Sequence, residues 1–456
     1  MKTIKDICEK IWKLEEDFNL FDIKIKGIKV WEIVRFTVFV RIAKELELYG
    51  QGEYPEISTV KQIKNAQMFI FNAIKKNPFS NSYSGDVMVL DHERKVKVNN
   101  EYIDIYTKDL LDNMDPNEFF VVEYPYLNKH YSSTKDPNRS YMDYFYIESA
   151  IKFPFNLFLF NNQERETIDK LQTLFKTTFD INFDFRRMFY KKIFIFKLKY
   201  NFFTNILIKK KPKLLYLVVS YSNMPLIAAA KDYGIEVIEI QHGVITPFHL
   251  GYSFPVDKEK VNYFPDKLYV FGDYWRDSVS YPISKENIIS YGFPYMQQRI
   301  EAYKGYSKTK KQVLVISQGT IGDTLSEFTY NSARMLSDYQ FIYKLHPREY
   351  NQWRTLYPFL IKAEKLPNFT VVDNNIKNLY EYFSESEFLI GVYSTAIFEG
   401  LSLNCKTILV RLPGIEYMND LIKNKHVIAV NNTNELIKAL NNYSDNVTFN
   451  EKYFFN

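Results

Sequence analysis

The sequence predicts an α/β protein with two doubly wound parallel sheets that face one cleft, and with additional helices at the N-terminus. Three observations support this fold class. Short apolar runs alternate with helical segments in the C-terminal part, the stretch 213–240 has the pattern of a compact βαβ unit, and a histidine ends a strand in each half of the chain. Alternating strands and helices are typical of parallel sheets that are covered by helices.

The length of the chain predicts two domains. Its 456 residues exceed what one ordinary hydrophobic core accommodates. Hydrophobic residues make up 46% and charged residues 25%, as in globular rather than disordered proteins. We expect an N-terminal domain over 1–295 and a C-terminal domain over 296–456, joined through 292–311. Closure about this link is expected to exclude water from the cleft.

Cysteine usage and hydropathy indicate the compartment. Cys8 and Cys405 lie far apart and in no metal-ligand spacing, so neither a disulfide framework nor a zinc site is predicted. The first residues lack the apolar segment of a signal peptide, and no run of eighteen apolar residues occurs. We expect a cytoplasmic protein, which would be peripheral on the inner face of the plasma membrane if its basic segment binds lipid.

The N-terminal part begins with helices and continues with strands. Helices are predicted over 3–17, 27–49 and 57–77, the second with Val30, Ile33, Val34, Val38 and Ile42 on one face. Strands are predicted at 86–90, 118–123, 213–220, 235–240, 267–271 and 287–291. The pattern of 125–185 supports no assignment.

The C-terminal part has the more regular pattern. Apolar runs suited to buried parallel strands occur at 312–318, 341–345, 369–373, 388–393, 406–411 and 426–430. Helical spacing is present between them, for example over 350–362, 376–383 and 415–423. Right-handed crossovers would place the carboxyl ends of these strands at one edge of a doubly wound sheet.

One segment, 186–213, concentrates positive charge. It contains ten Lys or Arg residues and no acidic residue, with phenylalanines and tyrosines between them. Such a segment suits an anionic membrane surface, because basic residues attract lipid headgroups and aromatic residues settle at the interface. A helix that packs its aromatic side on the core fits equally well. Nucleic acid, the other polyanion, is the least favoured partner.

Gln241-His242-Gly243 is the most informative motif. It follows the strand that ends at Ile240, and ligands of α/β sheets bind at the carboxyl ends of strands. An imidazole titrates near neutral pH, so His242 could take a proton from an attacking hydroxyl. The alternative is a strand-end histidine that caps local backbone. We predict that His242 is catalytic, with Gln241 and Gly243 on the acceptor side.

Three loops of the C-terminal domain suit a nucleotide. Ser317, Gly319 and Thr320 follow its first strand, where glycine would let the backbone approach a phosphate. Lys344 and His346 end the second strand. For His346, as for His242, capping of local backbone is the alternative.

The third loop, at Ser394 and Thr395, opens a predicted helix whose free amides favour an anion. Glu399 follows one turn later on the same face, where it could accept the ribose hydroxyls. The alternatives are an ordinary helix cap for Ser394 and a solvated surface acid for Glu399. We predict a nucleotide pocket at these three loops.

In these motifs, Gln241-His242-Gly243, Lys344-Leu345-His346-Pro347, Ser394-Thr395 and Glu399-Gly400, the chain resembles GT-B glycosyltransferases of bacterial surface-polysaccharide synthesis. It is similar to the CDP-glycerol glycerophosphotransferases of teichoic acid synthesis and to capsule sialyl- and Kdo-type transferases. The stretch 265–272 also resembles these proteins, and the likeness covers roughly 213–440.

The resemblance implies a GT-B fold with two Rossmann-like domains, and it implies roles for the motif residues. His242 would be the base or an essential acceptor-side residue, while His346, Ser394 and Thr395 would hold the phosphates of the donor. It also implies a cytidine nucleotide first, then uridine or guanosine. One departure disfavours polyol-phosphate transfer: Val244-Ile245-Thr246 replaces the expected Thr-Pro-x-Lys.

The expected reaction is a direct displacement from a nucleotide-sugar to a glycan or lipid-linked acceptor, as in capsule, O-antigen or teichoic acid synthesis. We expect no resident cofactor, and no Asp-x-Asp motif suggests a divalent metal. Three alternatives remain: polyol-phosphate transfer, a sugar-nucleotide epimerase, which would need no acceptor, and a non-catalytic scaffold of a polysaccharide synthase, which would bind no nucleotide.

Overall fold

A computed structural model describes residues 3–49, 59–80, 84–98, 101–126, 129–131, 136–255, 261–303, 305–443 and 449–456, with backbone alone for 59–66. The helices in these ranges are α1 Ile4–Asp17, α2 Val30–Glu45, α3 Thr59–Lys75, α4 Lys108–Asp112, α5 Asp143–Lys152, α6 Asn162–Phe179, α7 Phe185–Lys210, α8 Met224–Asp232, α9 Asp273–Asp277, α10 Pro294–Tyr303, α11 Gly322–Met335, α12 Trp353–Leu356, α13 Pro358–Ala363, α14 Leu379–Glu385, α15 Thr395–Ser402, α16 Asn419–Lys423, α17 Thr433–Asn441 and α18 Glu451–Phe454.

The strands in the same ranges are β1 Lys24–Ile25, β2 Ile28–Lys29, β3 Val87–Leu90, β4 Val96–Val98, β5 Glu101–Ile103, β6 Phe119–Glu123, β7 Arg139–Tyr141, β8 Leu214–Val218, β9 Glu236–Ile240, β10 Lys267–Val270, β11 Ile288–Ser290, β12 Thr309–Ile316, β13 Gln340–Lys344, β14 Phe369–Val372, β15 Ser386–Gly391, β16 Lys406–Val410 and β17 Ile428–Val430. Two short antiparallel hairpins, β1–β2 and β4–β5, stand apart from the two large sheets.

The chain divides into two compact units. The N-terminal unit contains the described residues within Lys10–Phe39 and Glu56–Tyr295. The C-terminal unit contains those within Met1–Glu9, Val40–Pro55 and Met296–Asn456. The two short N-terminal pieces therefore belong with the C-terminal sheet. In the segment predicted as a link, helix α10 occupies Pro294–Tyr303 and β12 begins at Thr309.

The N-terminal unit is built on a parallel sheet. Within the described ranges its strand order is β11-β10-β9-β8-β3-β6-β7, with every neighbouring pair parallel. The apolar side chains of β3, β6, β8 and β9 pack against helices α7 and α8 on one face. A second apolar cluster, with Val89, Val121 and Val218, lies on the other face.

The C-terminal unit contains a second parallel sheet, of order β14-β13-β12-β15-β16-β17 in the part of the chain that is described. Its core includes Val313, Tyr343, Ile390 and Ile408. The predicted α/β fold with two doubly wound, Rossmann-like parallel sheets and added N-terminal helices is confirmed.

Several predicted elements differ at their ends for local reasons. The strand predicted over 213–220 ends at Val218, because Val219 is in the left-handed region with φ of 65°. The helix predicted over 350–362 is interrupted before Pro358, where Tyr357 leaves the helical region with φ of −123° and ψ of 78°, since proline disfavours a helical conformation in the residue before it. The unassigned stretch 125–185 contains β7, α5 and the whole of α6.

Candidate functional site

The carboxyl edge of the C-terminal sheet has a topological switch point between β12 and β15. Numbered within the unit, its strands run 3-2-1-4-5-6, and such sheets bind ligands where the order reverses. The loop 317–320 follows β12, and the loop 392–394 follows β15 and leads into α15. The topology thus brings Ser317, Gly319 and Thr320 beside Ser394 and Thr395.

A direct contact joins these two loops. The hydroxyl oxygens of Thr320 and Tyr393 are 2.6 Å apart, and the Gln318 side-chain oxygen accepts a hydrogen bond from the Tyr393 amide at 3.4 Å. Gly319 is exposed between them. Sequence reasoning did not single out Tyr393, whose hydroxyl closes one side of the switch point. In the sequence, its position directly before Ser394 was the one indication that Tyr393 lies at this site.

Ser394 caps helix α15. Its backbone is extended and its hydroxyl accepts a hydrogen bond from the Ala396 amide at 3.2 Å. The helix lies close on the sheet, because a Cβ at Gly400 would come within 2.4 Å of Leu389. Glu399 is buried on this helix, so the interpretation as a solvated surface acid is wrong. Its role toward a ribose stays a prediction.

A residue that sequence reasoning missed, Glu349, links two of the predicted loops. Its buried carboxylate accepts hydrogen bonds from the Ser317 hydroxyl at 3.0 Å, the Tyr357 hydroxyl at 2.6 Å and the His346 amide at 2.6 Å. Burial raises the pKa of Glu349 above its usual value. The Ser317 hydroxyl is therefore held by Glu349, and Ser317 and His346 are fixed relative to each other.

His346 presents one ring nitrogen as an acceptor. The Arg348 amide donates to His346 Nδ1 at 3.2 Å, which assigns the proton of the neutral ring to Nε2. An Nε2–H donor suits a phosphate oxygen. Lys344 is buried and its ammonium donates to Tyr350 and to the loop after β14, at Asn374 and Asn375. Lys344 thus braces a neighbouring loop, and its role toward a phosphate stays a prediction.

In the N-terminal unit, Gln241 and His242 follow β9, one strand away from the β3–β8 switch point of that sheet. Gln241 is buried and its amide group is fully engaged. Its oxygen accepts from the Phe271 amide at 2.8 Å, and its nitrogen donates to the Gly243 carbonyl at 2.8 Å. Gln241 and Gly243 therefore fix the loop that presents His242, and their contact with an acceptor stays a prediction.

His242 is connected to a buried carboxylate through a tyrosine. The Tyr252 hydroxyl lies 3.3 Å from His242 Nδ1 and donates to Glu239 Oε1 at 2.5 Å. Because the Tyr252 hydroxyl donates its hydrogen bond to Glu239, its oxygen can accept a hydrogen bond from the Nδ1–H of His242, which leaves Nε2 as the basic nitrogen. The Ser220 amide also donates to Glu239 Oε1, at 3.0 Å.

Glu239 is fully buried, and among the described residues its Oε2 atom has no hydrogen-bond partner. Burial raises its pKa to about 7, against the hydrogen bonds that favour the anion. Glu239 was not among the residues predicted for the site. Its side chain lies under the His242 loop.

Aromatic rings surround His242. His92 stacks on it with ring centroids 6.0 Å apart, while Tyr106 and Tyr221 lie at 6.4 and 6.2 Å. Burial, with His92 and His249 nearby, lowers the pKa of His242 well below its usual value of 6.5. The imidazole is therefore neutral at physiological pH, the form that can accept a proton.

Backbone strain occurs beside this cluster. Val219 follows β8 with φ of 65°, a conformation that β-branched residues rarely adopt. It leads directly into Ser220, whose amide is the donor to Glu239, and Tyr221, which packs on His242. Strained residues of this kind often mark functional sites. This observation supports the predicted position of the site at the carboxyl edge of the N-terminal sheet.

A buried charge network lies at the ends of β3, β6 and β7. Arg139 contacts Asp91 and Glu123, and His130 lies between Glu123, at 2.7 Å, and Asp143, at 2.6 Å. These hydrogen bonds to carboxylates raise the pKa of His130, although burial opposes them. Removing one partner of such a network leaves a buried charge unpaired, so the network fixes the edge strand in place.

Most of the basic segment 186–213 forms helix α7. Its buried side includes Phe189, Phe196, Phe202 and Phe203, which favours the packed-helix interpretation for its aromatic residues. A role in lipid binding stays a prediction. In the described part of the chain no helix is long and apolar enough to cross a bilayer. No cluster of three metal-binding side chains is present there either.

Comparison with solved structures finds similar folds. The UDP-GlcNAc 2-epimerase of Methanocaldococcus jannaschii, in complex with UDP-GlcNAc and UDP, is 12% identical, with a TM-score of 0.47 over 80% of this chain and 96% of that chain. For the UDP-GlcNAc 2-epimerase of Neisseria meningitidis, bound to UDP-GlcNAc, the values are 11%, 0.44, 78% and 91%. For MurG of Acinetobacter baumannii they are 13%, 0.38, 78% and 90%. No protein-family model and no curated protein sequence matches the chain.

Proposed function

We propose that this protein is a glycosyltransferase that moves a sugar from a nucleotide-activated donor to a hydroxyl of a growing surface polysaccharide or a lipid-linked acceptor. The observation that carries the proposal is the switch point of the C-terminal sheet. There the Thr320–Tyr393 contact joins the loop after β12 to the start of α15, next to the capping hydroxyl of Ser394. Nucleotides bind at this position in doubly wound sheets.

The donor phosphates would be held by neutral donors of the C-terminal unit. These are the Ser394 and Thr395 hydroxyls, the first amides of α15 and the Nε2–H of His346. Such groups stabilise the charge that develops on the leaving phosphate without rearranging during the reaction. Glu399 would accept the ribose hydroxyls, and Gly319 leaves space for the backbone to approach the phosphates.

The acceptor would be activated by His242. Its Nε2 takes the proton of the acceptor hydroxyl while that oxygen bonds to the anomeric carbon of the sugar. The bond from this carbon to the phosphate oxygen breaks, and the nucleotide leaves with the electron pair. Tyr252 and Glu239 act as positioning residues, because they set the tautomer of His242 and stabilise the imidazolium that forms.

A thermal-shift screen against nucleoside mono- and diphosphates, with and without Mg²⁺, tests the donor half of the proposal. A ligand that binds only the folded protein at a hundredfold excess over its Kd stabilises it by about 2.7 kcal/mol. Following the resemblance, we expect cytidine nucleotides to give the largest shift, with little effect of Mg²⁺. If no nucleotide changes the melting temperature, the scaffold alternative replaces the transferase.

The same nucleotide pocket would also serve a sugar-nucleotide epimerase. Incubation of the preferred nucleotide-sugar with the enzyme alone separates the two reactions, because an epimerase needs no acceptor. We expect no new sugar isomer from the donor alone and release of nucleotide only when an acceptor is added. Analysis of the transferred group distinguishes a sugar from a polyol phosphate.

A further inference from the structure

One side of the N-terminal unit exposes many large apolar side chains. On helix α3 these include Ile70, Phe71 and Ile74, the last of which is 71% exposed. On the segment after α5 they include Phe153, Phe155 and Leu159, and the last two are 86% and 80% exposed. Together these six residues define the apolar face. Large apolar side chains exposed on neighbouring elements are typical of an interaction site.

Ring contacts place the two parts of the apolar face side by side. Phe69 of α3 packs edge-on against Tyr146 of α5, with ring centroids 5.8 Å apart. At the other end Phe153 packs against Phe194 of α7 at 5.3 Å. Helices α3, α5 and α7 therefore lie next to one another, with the segment 153–159 between α5 and α7.

Two of the three helices beside this face, α3 and α7, are rich in basic residues. Helix α3 carries three lysines and helix α7 carries eight Lys or Arg residues, and neither sequence contains Asp or Glu. The acidic residue of α5 nearest to the apolar face, Glu148, is paired with Lys152. Apolar side chains that project between basic helices are the combination that binds anionic lipid, through burial in the headgroup layer and attraction to the surface charge.

We propose that the apolar face docks on the surface of a bilayer that contains anionic lipid, with Phe155 and Leu159 entering the headgroup layer. The aromatic residues of α7 itself are largely buried in the core, so α7 contributes charge while the segment 153–159 supplies the inserted side chains. The proposal bears on the lipid-linked acceptor of the proposed function, but its test measures no transfer.

Two other occupants fit less well. A second copy of the chain would bring the basic helices of both copies together around a twofold axis, where like charges repel. Nucleic acid would match the charge but would leave the apolar side chains of 153–159 without a partner. Lipid satisfies both features at once.

The test is sedimentation of the full chain with vesicles of phosphatidylcholine, with and without phosphatidylglycerol. The variant Phe155→Ser with Leu159→Ser removes the proposed inserting side chains. Ile376→Ser is the matched control, because Ile376 is a 93% exposed apolar residue of the other unit. All three positions are exposed, so the variants should fold, and melting curves check this.

We expect the parent and Ile376→Ser to bind the anionic vesicles and to dissociate in high salt. The double variant should partition at least about tenfold more weakly, because it no longer buries two large apolar groups. Replacing Lys209, Lys210 and Lys211 with Gln should weaken binding only on anionic vesicles. Equal binding of parent and double variant would overturn the proposal. Absence of vesicle binding would also overturn the proposal. That holds whether the chain instead forms dimers that the double variant abolishes or binds only nucleic acid.

Discussion

The Tyr252 hydroxyl lies 2.5 Å from Glu239 Oε1 and 3.3 Å from His242 Nδ1, so one side chain contacts both a buried carboxylate and the proposed base. The three residues form a chain. When Glu239 is ionised, it orients the Tyr252 hydroxyl, whose oxygen then holds the Nδ1–H of His242. Burial lowers the pKa of His242 and raises that of Glu239 to about 7, so His242 stays neutral while Glu239 changes from neutral to anionic as the pH rises through about 7.

His242→Ala should lower the transfer rate by on the order of a hundred- to ten-thousand-fold, which is the range for loss of a general base. Nucleotide binding should be unaffected, because the variant changes only the N-terminal unit. Turnover with saturating donor and acceptor measures the transfer rate, and a nucleotide thermal shift measures nucleotide binding. A variant that keeps more than half of the parent's turnover would show that His242 is not the base.

The acid limb of the pH–rate profile should belong to Glu239 rather than to His242. The pKa of His242 lies well below 6.5, so its ring stays neutral as the pH falls from 8 to 6. Glu239 has a pKa of about 7, and its protonation removes the carboxylate anion that accepts the hydrogen bond of the Tyr252 hydroxyl. We therefore expect activity to fall as the pH drops through about 7, and Glu239→Gln to lower activity and remove this limb.

The matched control for Glu239→Gln is Glu236→Gln, on the same strand but exposed and paired with Lys267. It should retain the acid limb of the parent. An unchanged acid limb in Glu239→Gln would assign the titration to another group.

Tyr252→Phe should reduce kcat by about tenfold, because it removes the hydrogen bond that orients the base and one of the donors to Glu239. Since Tyr252 contacts no substrate in the proposed reaction, the KM for the donor should stay constant. Tyr141→Phe is the control: its buried hydroxyl has no hydrogen-bond partner among the described residues. A larger effect in Tyr141→Phe than in Tyr252→Phe would contradict the positioning role.

Stability should respond to Glu239 with the opposite sign to activity. Its folded pKa of about 7 exceeds the ordinary value of 4.5, so the folded state binds the proton more tightly than the unfolded state. The resulting stabilisation is complete below pH 4.5 and is lost as the pH rises through 7. From pH 8 to pH 6 the free energy of unfolding of the parent should rise by about 1.4 kcal/mol relative to Glu239→Gln.

Denaturant titration of both proteins at the two pH values measures this difference. The buried histidines titrate in both proteins, so their contributions cancel in the comparison. If the difference in the free energy of unfolding between the two proteins does not change with pH, Glu239 keeps one protonation state in the folded protein from pH 8 to pH 6.

The sequence predicted the strands and the histidine positions because both depend on local pattern. Apolar runs such as 388–393 specify buried parallel strands, and most of the candidate residues lie at the end of one of these strands or in the loop that follows it. Glu349 and Tyr252 were not predicted, because their importance comes from partners that the fold brings together. Glu349 joins residues of two strand ends 32 and 3 positions away, and Tyr252 reaches back 13 residues to Glu239.

The segment 186–213 shows a further limit of pattern analysis. Its composition fits a lipid surface and a core helix equally well and nucleic acid less well, and only packing distinguishes the first two. The structure buries phenylalanines of α7 and exposes those of 153–159, a segment that carries no motif. Exposure is set by which face a neighbouring element covers, and the sequence of one element does not contain that information.

The donor site can be tested by calorimetry with the preferred nucleotide on the full chain, with substitutions that are confined to the C-terminal unit. Ser394→Ala removes a hydroxyl from the phosphate site and should weaken the Kd by roughly fivefold to tenfold, the value of one hydrogen bond. His346→Ala should weaken it at least as much, because the Nε2–H donor is lost. Glu399→Ala should weaken the binding of nucleosides and of nucleotides alike, since the proposed partner of Glu399 is the ribose.

Ser402→Ala is the control for Ser394→Ala, because Ser402 ends the same helix and its hydroxyl donates to the Phe398 carbonyl at 3.2 Å. It should leave the Kd unchanged. General destabilisation of α15 would then not explain a loss of nucleotide affinity that occurs only in the variant at the N-terminal end of the helix. Unchanged affinity in Ser394→Ala, His346→Ala and Glu399→Ala together would place the nucleotide away from the β12–β15 switch point, whatever the result for His242.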